Sequence, residues 1–350
     1  MFFYSFINII VFFLGYYVSY GKDKGTAAFS YIFTFFILVF ISSVRYGIGT
    51  DYPHYEFYYY AIENGAKIYK YTEPVFYWLI RGTLYFKLSF QYFIVVTSLL
   101  TTLFFFLSVS KKTFFFEILL YYGLIYLQAF CLIRQMLACT ISIFAFKKYG
   151  DSKIKCAFLL IFSSLVHRTF WILLLVYFLS FIINIKDSKT TLIIITAFVL
   201  IYLTPVIDIV VTKILTMTKL ESGDYFVLMH RIGPVVALRY LLMFFYLYLI
   251  KKFANTKLNK LLMITLFVIE FSGTRILILA SRLPQTLYSV FFLLFNVSNK
   301  QQIDLILKQK DTNLSKEFLI LSFFLIYVIL YIQLLTGHHI NNILPYKTIF

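Results

Sequence analysis

Of 350 residues, 61% are hydrophobic and only 13% are charged, far more apolar surface than a water-soluble core of this size needs. That balance excludes an ordinary soluble globular enzyme and points to a chain solvated mainly by lipid. The formal net charge of +17 would suit nucleic acid, but the lysines stand in short clusters between apolar runs. That is the pattern of loops held on the cytoplasmic face of a membrane, and no nucleic-acid partner is needed to explain it.

A helix needs about 20 apolar residues to cross a hydrocarbon core about 30 Å thick. In chain order the sequence offers twelve such runs, at 2–20, 27–44, 89–109, 113–131, 132–147, 154–167, 169–185, 190–206, 234–250, 258–273, 282–297 and 317–335. The runs are continuous rather than alternating, which favours helices over a barrel. The expected fold is therefore all-α, a polytopic transmembrane helix bundle of about 12 spans forming one integral membrane domain over 1–350. The first run has no basic leader and reads as a retained span rather than a signal peptide. With these spans, Lys22 and Lys24, Lys111 and Lys112, the lysines of 147–155, Lys186 and Lys189, and those of 251–260 and 300–316 share one side. By the positive-inside rule that side is the cytoplasm, and both termini face outward.

Residues 74–86 are apolar but interrupted by Arg81, and a full crossing there would break the parity; an interfacial or re-entrant helix at the outer face preserves it. Large outer loops follow at about 45–88 and 205–234. The first groups Tyr52, Tyr55, Tyr58, Tyr59 and Tyr60 around Asp51 and Glu56. Aromatic rings favour the headgroup region, so an interfacial belt is preferred over a sugar-stacking platform. Cys131, Cys139 and Cys156 lie in or beside apolar runs without metal-type spacing and read as buried small hydrophobes.

Arg45, Arg81, Arg134, Arg168, Arg231, Arg239, Arg275 and Arg282 all fall on the outer side, or in the outer half of a span. This runs against the usual inward bias of basic residues. A guanidinium grips phosphate with a planar fork and keeps its charge, so an arginine cluster at the outer leaflet suits a lipid-linked pyrophosphate. The competing reading is that each arginine pairs with an outer acid such as Asp51, Glu56, Glu73, Asp208, Glu221, Asp224 or Glu270, or snorkels to headgroups.

Arg134 is embedded in apolar sequence, where an isolated mid-bilayer charge costs roughly 2.5–3.5 kcal/mol. A helix start facing an aqueous cavity removes most of that cost and adds the partial positive charge of the helix terminus. His167-Arg168 sits at an outer turn between two apolar runs, where His167 reads as a base, a hydrogen-bond donor or a structural helix-end residue. In Arg45-Tyr46-Gly47-Ile48-Gly49-Thr50-Asp51-Tyr52 the chain leaves a span and turns through two glycines toward an acid. It lacks the lysine-serine ending of a phosphate loop and reads as a turn with Asp51 capping the next helix. Glu73-Pro74 reads as a helix start.

Taken in order, that first motif, Glu73-Pro74, Arg134-Gln135 opening a helix, His167-Arg168 at an outer turn and Pro345-Tyr346 near the end resemble the EpsG-like branch of the Wzy polymerases of O-antigen, capsule and exopolysaccharide. The resemblance implies a glycosyltransferase of the bacterial inner membrane with its active face periplasmic or extracellular, using no nucleotide sugar, no metal and no other cofactor. A glycan on undecaprenyl pyrophosphate would be transferred to the non-reducing end of a second lipid-linked repeat unit, with a chain-length regulator protein as a further partner. On this reading Arg134, with Arg45, Arg275 or Arg282, holds the pyrophosphate; Gln135, Arg168 and Tyr52 line the substrate; and Asp51, Glu73 or His167 is the base. A flippase of the same lipid-linked unit is the alternative, since many helices with internal charges also suit alternating access. The charges gather at one face and no internal repeat is evident, which favours the polymerase. A membrane acyltransferase is disfavoured because His167, His230, His338 and His339 all fall on the outer side.

Overall fold

The structure, a computed structural model, describes residues 2–66, 73–182, 257–272, 283–293 and 346–349. The spans expected at 190–206, 234–250 and 317–335, the loop 205–234, and Arg231, Arg239, Arg275, Arg282 and Pro345 lie outside the described residues. Every regular element among the described residues is helical, in keeping with the expected class. The chain divides into two compact units, Met1–Trp171 with Phe291–Phe350, and Ile172–Val290.

In the first unit, α1 (Phe2–Tyr20), α2 (Lys24–Ser43) and α5 (Phe90–Ser108) are each long and apolar enough to cross a membrane. Asp23 caps α2, its carboxylate accepting from the Thr26 amide and hydroxyl. Large apolar side chains such as Phe6, Phe13, Phe29 and Phe36 stand exposed on α1 and α2, as a lipid-facing surface requires. The inner faces carry small hydroxyl residues that return their protons to the preceding turn. Thr34 donates to Ser30 O, Thr97 to Phe93 O and Thr101 to Thr97 O, so these hydroxyls are satisfied within their own helices and let the apolar helices pack closely. Among the described long helices the most enclosed is α7 (Ile133–Tyr149), which packs chiefly on α5 and α8 (Lys153–Val166). Ser142 and Ser163 meet at 2.9 Å across the α7–α8 contact.

The run expected as one span at 113–131 is not a uniform helix. It comprises α6 (Phe114–Leu120), a widened π-helical segment (Tyr121–Tyr126) and a 3-10 turn (Gln128–Phe130). The cause is tertiary. Three tyrosines of the widened segment bond to three different helices: Tyr122 donates to Tyr4 O in α1, Tyr126 donates to Leu38 O in α2, and the Tyr121 hydroxyl meets that of Thr102 in α5. An ordinary helical turn would not aim three neighbouring side chains in these directions, and π-type insertions often mark functional regions.

Between α2 and α5 lie two short helices, α3 (Tyr52–Glu63) and α4 (Pro74–Tyr85). Twelve residues span about 18 Å, too little for a crossing, so the segment expected to lie against the outer face is a helix of non-spanning length. The tyrosine-rich stretch departs from the expected belt. Tyr52, Tyr55 and Tyr59 follow the helical period and are buried against Phe76, Phe90 and Phe93, where aromatic packing outweighs the headgroup preference of the ring. Rings left exposed on these helices are Phe57, Tyr60, Trp78 and Tyr85.

The unit has two chemically distinct ends. Where α1 ends and α6 begins, Ser19 donates to Lys111 O and accepts from the Phe115 amide. This end gathers Lys22, Lys24, Lys111, Lys112, Lys147, Lys148, Lys153 and Lys155, matching the expected parity of the first lysine clusters. Lys147 is not the solvated loop residue its cluster suggests: its side chain is 2% exposed in the last turn of α7 and bonds Glu117, which also accepts from Thr113. The opposite end holds Arg45, Arg81, Arg134 and Arg168, together with Lys87 and Lys347. There the final segment returns to the start of the chain. Tyr346 stacks on Phe3 at 4.2 Å, Tyr46 donates to Lys347 O and Ile349 to Val44 O, forming a single antiparallel bridge between Arg45 and Thr348.

The remaining elements are a 3-10 turn (Arg168–Phe170), α9 (Trp171–Ile182), α10 (Lys257–Ser272), α11 (Leu283–Thr286) and α12 (Ser289–Leu293). In the second unit α10 reproduces the expected run at 258–273. The run expected at 282–297 is instead interrupted by a turn at Leu287 and Tyr288.

Breaking a buried ion pair leaves an uncompensated charge in low dielectric. Lys147→Ala is therefore expected to cost about 3–5 kcal/mol of stability, whereas exposed Lys148→Ala stays within about 0.5 kcal/mol. Denaturation of both variants in the same detergent measures the contrast, and equal small effects would refute the pairing.

Candidate functional site

The arginine end is built around the turn joining the 3-10 segment to α7. Gly49 lies against this turn so closely that a Cβ would sit 2.3 Å from Phe130 O and 2.9 Å from Cys131 Cα, with φ at +102°. Gly47, at φ +62°, has open space around it. Gly49 thus serves a tight backbone crossing and Gly47 a left-handed turn beside it, and the motif is a docking loop rather than a phosphate cradle. Asp51 occupies the N-cap position of α3, but in αR geometry and without the expected side-chain capping bond.

Arg45 opens the same loop. It is 1% exposed, donates through Nη2 to Ala129 O at 3.3 Å and lies over the Phe130 ring at 4.8 Å. The charge is thereby matched to a carbonyl left out of helical bonding and to an aromatic face. Burial pulls its pKa below the ordinary arginine value, against the opposing influence of Tyr126, Cys131, Tyr52 and Tyr4. Tyr52 is itself 2% exposed, and burial pushes its phenol up to about 12.

Arg134 is the second residue of α7, at a helix start as its sequence context requires, and Gln135 beside it is 1% exposed. The Arg134 guanidinium bonds Glu73 Oε2 through Nη1 and lies 5.2 Å from the Phe76 ring and 5.6 Å from the Tyr55 ring. Both members of the pair are partly accessible, at 17% and 11% of their side-chain surface. Glu73 is the N-cap residue of α4, with Pro74 following in the first turn. Two helix N-termini therefore converge on one ion pair. A carboxylate is favourable at each, and the arginine that holds it presents further N–H donors toward the same place.

His167 and Arg168 follow α8. His167 Nδ1 accepts from the Thr169 amide at 3.3 Å and lies 3.0 Å from its hydroxyl, capping the short 3-10 turn. With Nδ1 as acceptor the neutral ring carries its proton on Nε2, which suits donation rather than proton abstraction. Arg168 is exposed. Of the expected site residues, Glu73 and Arg134 are in contact, and Arg45 and Tyr52 are buried at the same end. Asp51 begins α3, His167 and Arg168 occupy the turn after α8, and Arg275 and Arg282 fall outside the described residues.

One feature has no counterpart in the expectations, a stripe of hydroxyls on α5 formed by Thr97, Ser98, Thr101 and Thr102. Together with Arg45 it lines a small cavity. The signal was present as paired hydroxyl residues one turn apart inside an otherwise apolar run.

The EpsG family model matches residues 28–348, nearly the whole chain, and the chain belongs to the EpsG family. Neither a curated relative nor a solved structure matches it. Membership carries, at the level of the family, a role resembling that of a polysaccharide polymerase in a membrane.

Gly49→Ala forces both a backbone clash and a left-handed φ on an L-residue, and is expected to cost on the order of 2 kcal/mol or more. Gly47→Ala meets no clash and should lose only about 1 kcal/mol. Melting temperatures of the two purified variants test the order, and a more damaging Gly47→Ala would contradict the docking role of Gly49.

Proposed function

We propose that the chain polymerises oligosaccharide repeat units carried on undecaprenyl pyrophosphate, joining the growing glycan to the non-reducing end of a new repeat at the extracytoplasmic face of the bacterial inner membrane. The observation that carries this reading is the partly accessible Arg134–Glu73 pair at the start of α7, in a chain of the EpsG family.

In this reaction the bond between the anomeric carbon of the growing glycan and its pyrophosphate oxygen breaks. A bond from an acceptor hydroxyl oxygen to that carbon forms, and the hydroxyl proton passes to a base. Negative charge develops on the departing pyrophosphate, so a preorganised guanidinium there lowers the barrier. Arg134 supports this role because one edge of its fork is fixed by Glu73 and its Nε–H is buried without a partner. The α7 N-terminus adds partial positive charge at the same point. A pyrophosphate competing for Arg134 would release the Glu73 oxygen that the guanidinium now holds. Glu73 thus pairs with the guanidinium in the resting state and accepts the proton when substrate takes its place. His167, with its proton on Nε2, donates to phosphate or sugar oxygen. Asp51 is the second carboxylate available at this end.

Arg134→Ala is expected to lower chain growth by on the order of a hundred- to a thousandfold, with Arg134→Lys recovering part of it as a point charge without the fork. Glu73→Gln, which can still accept a hydrogen bond from Arg134, should reduce turnover more than substrate binding. The assay is purified protein in vesicles supplied with lipid-linked repeats on one side. Chain growth abolished in Arg134→Ala supports the assignment, full-length polymer from that variant rejects it, and movement of repeats without growth identifies a carrier.

A further inference from the structure

The cavity beside Arg45 has a volume of about 10 Å³ and is lined by hydroxyls of α2, α5 and the widened segment, with Ala129 and Ile133 closing it. That is room for one water-sized particle and far too little for a phosphate or pyrophosphate. Most of the lining hydroxyl protons are committed elsewhere. Ser42 and Tyr126 donate to Leu38 O, Thr97 to Phe93 O and Thr101 to Thr97 O. Unused donors remain on three groups. Arg45 Nε–H and the Ser98 hydroxyl are buried without a hydrogen-bond partner. Of the Thr102–Tyr121 pair, only one proton is used between the two oxygens, leaving the other to point away from that bond.

Charge distinguishes the possible occupants. Arg45 is fully enclosed, and among the described residues no carboxylate lies within ion-pair distance of it. A carbonyl and a ring face compensate a buried guanidinium only in part. A water molecule would supply an acceptor but no charge. A monatomic anion accepts from the unused donors and also brings the missing negative charge. We propose that this cavity is a halide site, holding one chloride under physiological salt between Arg45, Ser98 and the Thr102–Tyr121 pair. The ion would tie α2, α5 and the widened segment together beneath the docking loop. The site is separate from Arg134 and its occupancy does not depend on the reaction assigned to the chain.

The test is the melting temperature of the full-length protein in detergent, titrated with sodium bromide against sodium gluconate at constant ionic strength. A ligand of the native state stabilises in a saturable manner. Bromide and chloride should therefore raise the midpoint to a plateau that gluconate does not reproduce. Ser98→Ala should raise the half-maximal bromide concentration about tenfold or more, the effect of losing one hydrogen bond to a charge. Arg45→Gln should abolish the response; should it not fold, Ser98→Ala decides. Identical curves in bromide and gluconate would mean that water alone fills the cavity. A bromide response unchanged in Ser98→Ala would place the ion elsewhere. Either result overturns the proposal.

Discussion

The arginine end depends on one constraint: backbone that leaves helical bonding inside a membrane protein must find its partners within the protein. Residues 127–132 do so between α6 and α7, where the chain passes through a 3-10 turn before reversing. The Ala129 carbonyl is met by Arg45, and the Gly47–Gly49 loop lies flush against Phe130 and Cys131 because glycine leaves the space that a side chain would fill. Tyr346 donates to Ile41 O from the returning terminal segment, while Gln91 donates to the carbonyls of Ser43 and Arg45. The irregular turn is thus enclosed by protein, and the helix that follows it starts from a fixed point. Arg134 is the second residue after that point, so its position follows from the way the turn is held.

Three cations in the first unit illustrate three ways of keeping a charge in apolar surroundings. Lys147 is paired with a buried carboxylate at the lysine-rich end, an arrangement costly to break because neither partner can turn to water. Arg134 is paired too, but with solvent access on both sides, so the same attraction is weaker and exchange for another anion is feasible. Arg45 has a carbonyl and an aromatic face in place of a carboxylate. The first is suited to holding helices together, the second to meeting a ligand, and the third to organising backbone.

The aromatic content serves more than a lipid boundary. Tyr52, Tyr55 and Tyr59 look like headgroup residues in a tyrosine-rich loop, yet α3 turns them onto Phe76, Phe90 and Phe93. Tyr121, Tyr122 and Tyr126 likewise bury their rings while each hydroxyl reaches another helix. A tyrosine can do both because its apolar body and polar tip are satisfied separately. The tilted ring pair of Tyr55 and Phe76 beside Arg134 extends that core to the ion pair.

By itself, the sequence determined that the chain is helical and membrane-bound, the ends of its long described helices to within a few residues, and the gathering of the first lysine clusters at the end opposite Arg45, Arg81, Arg134 and Arg168. These follow from hydrophobic length and charge placement, which act locally and need no knowledge of neighbours. It also singled out Arg134 and Glu73, since a charge in apolar sequence and a Glu-Pro helix start are visible in one dimension. Only the tertiary structure decided that these two residues, 61 positions apart, form one pair. It alone buried Arg45, Tyr52 and Lys147, and widened the helix at Tyr121–Tyr126 to satisfy three separate helices. The reason is that pairing and burial depend on which surfaces meet, and contacts between distant segments leave no periodic trace in the chain.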